Sequence, residues 1–224
     1  MTTQTVLITG AEGALGSVVR KRFATSGFKV IGTYHPSLAI PPPEEASTRW
    51  VKVDLSSPTD VRAALSSLDG IDVLVHCAGG FRYATIETTT DQDLDFLLDS
   101  NLRSSFLLLR ELIPAMKKRN FGRIVLISAK ATLHPPAGMS AYCAAKAGIN
   151  ALVSSVAEEL KTFDININAV MPTIIDTPAN RRDMPKANYA SWVSPSELAE
   201  VIFSLTQPLS KPVHGTLIPV SGRV

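Results

Sequence analysis

The sequence predicts an α/β protein built on one doubly wound parallel sheet, and three observations carry that expectation. Short β-branched runs alternate with stretches of helical periodicity along the whole chain, the pattern of repeated βαβ units. The runs are apolar at consecutive positions, as strands covered on both faces must be. The 224 residues show no shift of composition that would divide them, so a single domain over 1–224 is expected.

The elements follow in order. TVLIT is the first strand, a glycine-rich turn comes next, and a helix runs from about Leu15 to Ser26. KVIGT and RWVKV are the second and third strands, then a helix from about Pro58 to Leu68 leads into IDVLVH. A long helix spans about Asp91 to Lys118, and RIVLIS, the helix carrying Tyr142, ININAV, a helix from about Pro195 to Leu205 and the strand TLIPV complete the chain. Two segments depart from this rhythm. HPSLAIPPPEEAS replaces a crossover helix after the second strand, while PTIIDTPANRRDMPKANYASWVSPSE lacks periodicity and is a candidate substrate lid, an irregular connection being the alternative.

Composition narrows the function classes. With 45% hydrophobic and 19% charged residues the chain has a globular composition and not that of a disordered segment. Its net charge of +2 is spread out, and the short clusters Lys117 to Arg119 and Arg181 to Arg182 read as solvated surface, so no nucleic-acid partner is expected. No apolar stretch approaches the ~18 residues of a membrane span, and MTTQTVLITG has no basic leader, so a cytoplasmic protein without a membrane partner is expected. Cys77 and Cys143 have no metal or redox spacing; free thiols and no metal site are expected.

The stretch TGAEGALG places Gly10, Gly13 and Gly16 at the first strand-to-helix turn, with Ala14 and Leu15 opening the helix. Glycines there let the backbone turn sharply and approach a pyrophosphate, which the helix N-terminus then holds through free N–H groups and its dipole. In the context of βαβ repeats this is a dinucleotide fingerprint, and the sheet is of Rossmann type. At the end of the second strand, where an acid would bind a ribose 2′-hydroxyl, the sequence reads GTYHPS. Tyr34 or His35 takes the acid's place, and His35 and Ser37 can donate to a 2′-phosphate. Glu12 in the glycine turn argues the other way. Together these favour NADP(H) slightly over NAD(H).

YCAAK puts Tyr142 and Lys146 one helical turn apart on one face, a pairing suited to proton chemistry. A nearby ammonium is expected to lower the Tyr142 pKa from its ordinary value of about 10. Phe81, Tyr83, Met139, Tyr189 and Trp192 are candidates for the walls of a flat heteroaromatic pocket, or for core.

With TGAEGALG, VDL at Val53 to Leu55, CAGG at Cys77 to Gly80, Asn101, YCAAK and PTIIDT, the chain resembles the short-chain dehydrogenase/reductase family over nearly its full length. GALGS, AKATL, GMSAYCAAK and DTPANRRDMPKANYASW are most similar to dihydropteridine reductases within it. The resemblance implies an NAD(P)H-dependent oxidoreductase of a small-molecule substrate, with Tyr142 and Lys146 catalytic. Asn101, 41 residues before Tyr142, would hold a relay water, a helix-packing role being the alternative. Asp54 and Leu55 would meet the adenine, Ala78, Gly79 and Gly80 the ribose, and Pro172, Ile175 and Thr177 the nicotinamide end. A homodimer or homotetramer is implied, with helices 91–118 and 142–161 in contact.

One departure from the wider family bears on substrate. The serine expected thirteen residues before the tyrosine is Ala129, as in dihydropteridine reductases. Reduction of a quinonoid dihydropterin, which needs a proton on nitrogen more than a doubly held carbonyl oxygen, fits that loss. The alternatives are a short-chain reductase of another carbonyl or imine, and a non-catalytic NAD(P)-binding sensor.

Overall fold

A computed structural model describes residues 3–38 and 47–223. Much of HPSLAIPPPEEAS, read above as a replacement for a crossover helix, lies outside the described residues. Seven strands, β1 (Thr5–Thr9), β2 (Lys29–Tyr34), β3 (Thr48–Lys52), β4 (Ile71–His76), β5 (Gly122–Ile127), β6 (Ile165–Pro172) and β7 (Leu217–Val220), form one sheet in the order β3-β2-β1-β4-β5-β6-β7. All six pairings are parallel. The order reverses between β1 and β4, which leaves a crevice at their carboxyl ends.

Both faces of the sheet are covered because the strand side chains alternate between two apolar layers. Leu7, Leu74, Ile124 and Leu126 face one layer, with Leu108 and Met116 of α4 (Ser104–Arg119) and Ile149 and Val153 of α5 (Ser140–Leu160). Val6, Ile8, Val73, Val75 and Val125 face the other, with Val19 and Phe23 of α1 (Ala14–Thr25) and Leu198 and Ile202 of α7 (Pro195–Ser204). That is why the strands read as continuous apolar runs. Helix starts are fixed locally: Ser57 caps α2 (Pro58–Ser66) by accepting from the Asp60 N–H at 3.2 Å, and Pro58 occupies its first turn.

Two elements differ from expectation. The helix foreseen over 91–118 is α3 (Asp91–Leu97), a π-helical turn over Leu98–Arg103, and then α4. The aperiodic segment after β6 contains a short α6 (Pro178–Asp183), capped by Thr177, which accepts from the Asn180 N–H at 3.2 Å. No helix among the described residues is long and apolar enough to cross a membrane.

Candidate active site

A cleft of about 440 Å³ opens at the carboxyl ends of β1, β2 and β4. Of the residues expected to bind a dinucleotide, Gly10, Gly13, Tyr34, His35, Asp54, Leu55, Ala78 and Gly79 line it. Gly10 has φ +60°, open to glycine at little cost, and a Cβ there would lie 2.9 Å from Ala78 Cα and N. A methyl group on Gly16 would overlap the Gly10 carbonyl. The cradle is therefore closed to side chains at both points, while Gly13 caps α1 with no side chain over the helix N-terminus. These residues fit an extended diphosphate. Ala14 and Leu15 form the first turn of α1 behind the cradle.

Asp54 is fixed by its own turn, accepting from Ser56 N–H at 2.9 Å and Ser56 Oγ at 2.7 Å. These hydrogen bonds, led by the Ser56 hydroxyl, hold its carboxyl below the usual range. Of the two donors foreseen for a 2′-phosphate, His35 Nδ1 lies 2.6 Å from Ser37 Oγ and accepts the Ser37 N–H at 3.1 Å, which leaves the ring's donor on Nε2. The other ring nitrogen, Nε2, lies 3.8 Å from Asp54 Oδ1.

Tyr142 and Lys146 share one face of α5. The Lys146 ammonium is buried and donates to the Ile127 carbonyl at 2.7 Å. It also lies 3.4 Å from where a Cβ on Gly79 would sit, so the pair adjoins the cleft. Burial pushes Lys146 down to about 8 and Tyr142 up to about 12. The expected lowering of Tyr142 by Lys146 is not what the structure gives. Nζ points to Ile127, 6.0 Å from the phenol ring centroid, and desolvation of the phenolate dominates. Phe81 packs edge-on to Tyr142 with ring centroids 4.9 Å apart, which contributes to that desolvation.

Asn101 is carried to the site by the π-helical turn, but its side chain is fully engaged. Nδ2 donates to the carbonyls of Gly80 (3.0 Å) and Leu97 (2.9 Å), and Oδ1 accepts from the Gly80 N–H at 3.3 Å. The side chain clamps the loop after β4 to the helix. Gly80 itself stays small because Phe96 crowds it. Pro172 ends β6, Ile175 bridges to Val193, and the Thr177 hydroxyl caps α6; none of the three lines the cleft.

Several contributors were not foreseen. Phe96, Asp99 and Ser100, all on α3 and the π-helical turn, form one wall. Beneath it, buried His76 joins Thr9 Oγ1 (2.6 Å from Nδ1) to Ser104 Oγ (3.0 Å from Nε2), and Thr9 Oγ1 also accepts the Ala78 N–H at 3.3 Å. Burial, with the charge of Lys146, drives His76 down to about 3, so it stays neutral. A polar residue at the end of the apolar run IDVLVH was the available signal. Cys77 lines the cleft, but desolvation pushes its thiol up to about 12, which removes nucleophilic character near neutrality.

Among the aromatic candidates, Tyr83 packs over Gly138 and Phe81 against Tyr142. Tyr189 and Trp192 pair at 4.8 Å in the segment after β6. That segment is folded back: Arg181 binds Asp176 through two contacts of 2.5 and 2.7 Å and stacks over Tyr189.

A family profile described as short chain dehydrogenase matches residues 4–188. The chain belongs to that family. A 3-oxoacyl-(acyl-carrier-protein) reductase of Rickettsia bellii is 28% identical, the alignment covering 98% of this chain and 95% of that one. An acetoacetyl-CoA reductase of Acinetobacter is 29% identical, with 96% and 95% covered. A crystal structure of a short-chain family oxidoreductase from Burkholderia thailandensis superposes with a TM-score of 0.87 at 26% identity, covering 99% of this chain and 92% of that one. The protein is thus an oxidoreductase of a family that uses NAD(P).

Proposed function

We propose that the protein reduces a conjugated imine of the quinonoid dihydropterin class, using NAD(P)H. The observation that carries this reading is at position 129. Ala129 carries no hydroxyl, and that of the neighbouring Ser128 is engaged elsewhere, its Oγ donating to Asn150 Oδ1 (2.6 Å) and the Lys146 carbonyl (3.2 Å). A carbonyl oxygen developing negative charge would meet one donor. An imine nitrogen needs only one.

When bound, the cofactor supplies the hydride. Tyr142 supplies the proton: with its pKa raised it is fully protonated near neutrality, and Phe81 covers its ring on one side. Lys146, next to Gly79 in the cleft wall, holds its ammonium on the Ile127 carbonyl, 6.0 Å from the Tyr142 ring centroid, where it can reach a cofactor in the cleft. Hydride on carbon and proton on nitrogen balance the two-electron reduction. An intact pair of this kind also weighs against a sensor without turnover.

The relatives, 3-oxoacyl-(acyl-carrier-protein) and acetoacetyl-CoA reductases, favour a second reading, reduction of a 3-oxoacyl thioester. Absorbance at 340 nm separates the two. Rapid turnover of quinonoid dihydropterin with slow turnover of acetoacetyl-CoA is the expected result, and the reverse would defeat the pterin reading. The resemblance also supports a homo-oligomer through α4 and α5, where Phe106 of α4 is half-exposed.

A further inference from the structure

We infer that Asn150 is a positioning residue for the Tyr142–Lys146 pair: it ties α5 to the end of β5 and so fixes where the pair stands against that strand. The inference rests on the assignment of proton transfer to the pair and extends it to a side chain outside the cleft.

Tyr142, Lys146 and Asn150 follow one another at four-residue intervals on α5 and lie along one broad face of the helix. The apolar residues Ile149, Val153, Val156 and Leu160 pack into the core. Such packing is non-directional, and it decides which face is buried more strictly than where the helix stands along the strand. Hydrogen bonds set that position. Lys146 Nζ donates to the Ile127 carbonyl at 2.7 Å, and the hydroxyl of buried Ser128 donates to Asn150 Oδ1 at 2.6 Å and to the Lys146 carbonyl at 3.2 Å. Asn150 Nδ2 donates to Thr132 Oγ1 at 2.9 Å, and the Thr132 hydroxyl donates in turn to the Ala129 carbonyl at 2.8 Å. Asn150 therefore grips the chain on both sides of position 129, in the same stretch that receives the Lys146 ammonium.

The amide is not needed to satisfy its neighbours. Without it the Ser128 hydroxyl keeps the Lys146 carbonyl, and the Thr132 hydroxyl keeps the Ala129 carbonyl, so no donor is stranded. What the amide adds is a fixed spacing between helix and strand end. Asn150 is not among the residues that line the cleft, so its influence passes through the placement of the pair and not through contact with a cofactor. A misplacement of about 1 Å that originates away from the chemistry can cost about 10² in rate.

The test uses Asn150→Leu, Thr132→Val, which severs the same link without altering α5, and the double variant. Rates are followed at 340 nm with quinonoid dihydropterin and with acetoacetyl-CoA, nucleotide Kd by fluorescence titration with NADH and NADPH, and folding by circular dichroism. Asn150→Leu should lower kcat by about 10- to 100-fold while KM and the nucleotide Kd stay within about threefold, because the glycine cradle belongs to other elements. Thr132→Val should lower kcat with the same split, and the double variant should be no more than about twofold slower than Asn150→Leu, since both changes break one link. Wild-type kcat in a folded Asn150→Leu overturns the inference. So do losses that multiply in the double variant, or a fall in kcat matched by equal losses in KM and Kd, which would mark a general loosening. If Asn150→Leu does not fold, Thr132→Val carries the test with the same expected split and the same refutation. A wild type that reduces neither substrate defeats the proposed function and this inference together, whereas an active wild type with an unimpaired Asn150→Leu defeats the inference alone.

Discussion

Replacing Lys146 with methionine separates what this side chain costs the fold from what it gives the chemistry. The ammonium is buried, its one hydrogen-bond partner among the described residues being the Ile127 carbonyl, and its pKa falls from 10.5 in the unfolded chain to about 8. Between those values the unfolded state binds the proton and the folded state does not. Stability from this site is therefore fully present above pH 10.5 and is lost as pH falls through 8. The shift corresponds to about 3 kcal/mol that the folded protein forgoes at neutrality. Lys146→Met removes that dependence. It also leaves the Ile127 carbonyl unpaired, an offset of about 1–3 kcal/mol that does not vary with pH. Urea unfolding followed by the fluorescence of Trp50 and Trp192, at pH 7 and above pH 10, gives the difference between variant and wild type. That difference should move by about 3 kcal/mol in favour of the wild type as pH rises, while reductase activity is absent in the variant throughout. A difference that stays constant with pH would refute the account of a proton-binding penalty at this site.

Three further outcomes follow from the same geometry. Tyr142→Phe should lower kcat by about 10² to 10⁴ while leaving the cofactor Kd within about twofold, checked by steady-state rates and fluorescence titration. Gly16→Ala should weaken cofactor binding by more than about tenfold, because the added methyl overlaps the Gly10 carbonyl and displaces the turn; circular dichroism distinguishes this from unfolding. Ala129→Ser should raise kcat/KM for acetoacetyl-CoA, by up to about 10²-fold if the hydroxyl is well aimed, without raising it for quinonoid dihydropterin.

The sheet was legible because β1, β4, β5 and β6 are buried on both faces, and burial on both faces writes a continuous apolar run. The glycine turn was legible for a similar reason: Gly10 and Gly16 sit where any Cβ collides. Other features leave little local trace. A π-helical turn at Leu98–Arg103 inserts one residue into a pattern that still reads as helix, yet it is what turns Asp99 and Ser100 toward the cleft. Thr9, His76 and Ser104 meet across separations of 67 and 28 residues, and only the fold reveals the meeting. The direction of the Tyr142 shift depended on where the Lys146 ammonium points, which helical spacing alone does not fix. His35 is a donor by type, and the two-residue turn to Ser37 decides which ring nitrogen donates: Nδ1 accepts the Ser37 N–H, leaving Nε2 as the donor.

The two ends of the sheet handle buried charge differently, and the contrast bears on where chemistry resides. At the amino end, buried Arg123 is matched by Asp164, 2.9 Å away, and Lys211 joins the same carboxylate at 3.2 Å. At the carboxyl end, buried Lys146 has no carboxylate within ion-pair distance among the described residues, and His76 is held neutral beside it. An aspartate near Lys146 would relieve the penalty and would also fix the ammonium against a permanent counter-charge. Tyr142 could then gain nothing from it on becoming anionic. Leaving the cation without a counter-ion keeps its field available for charge that appears only during proton transfer, the condition under which an electrostatic interaction lowers a barrier and does not merely tighten a ground state. The same end of the sheet holds the glycine turn at Gly10 and the π-helical turn that carries Asn101.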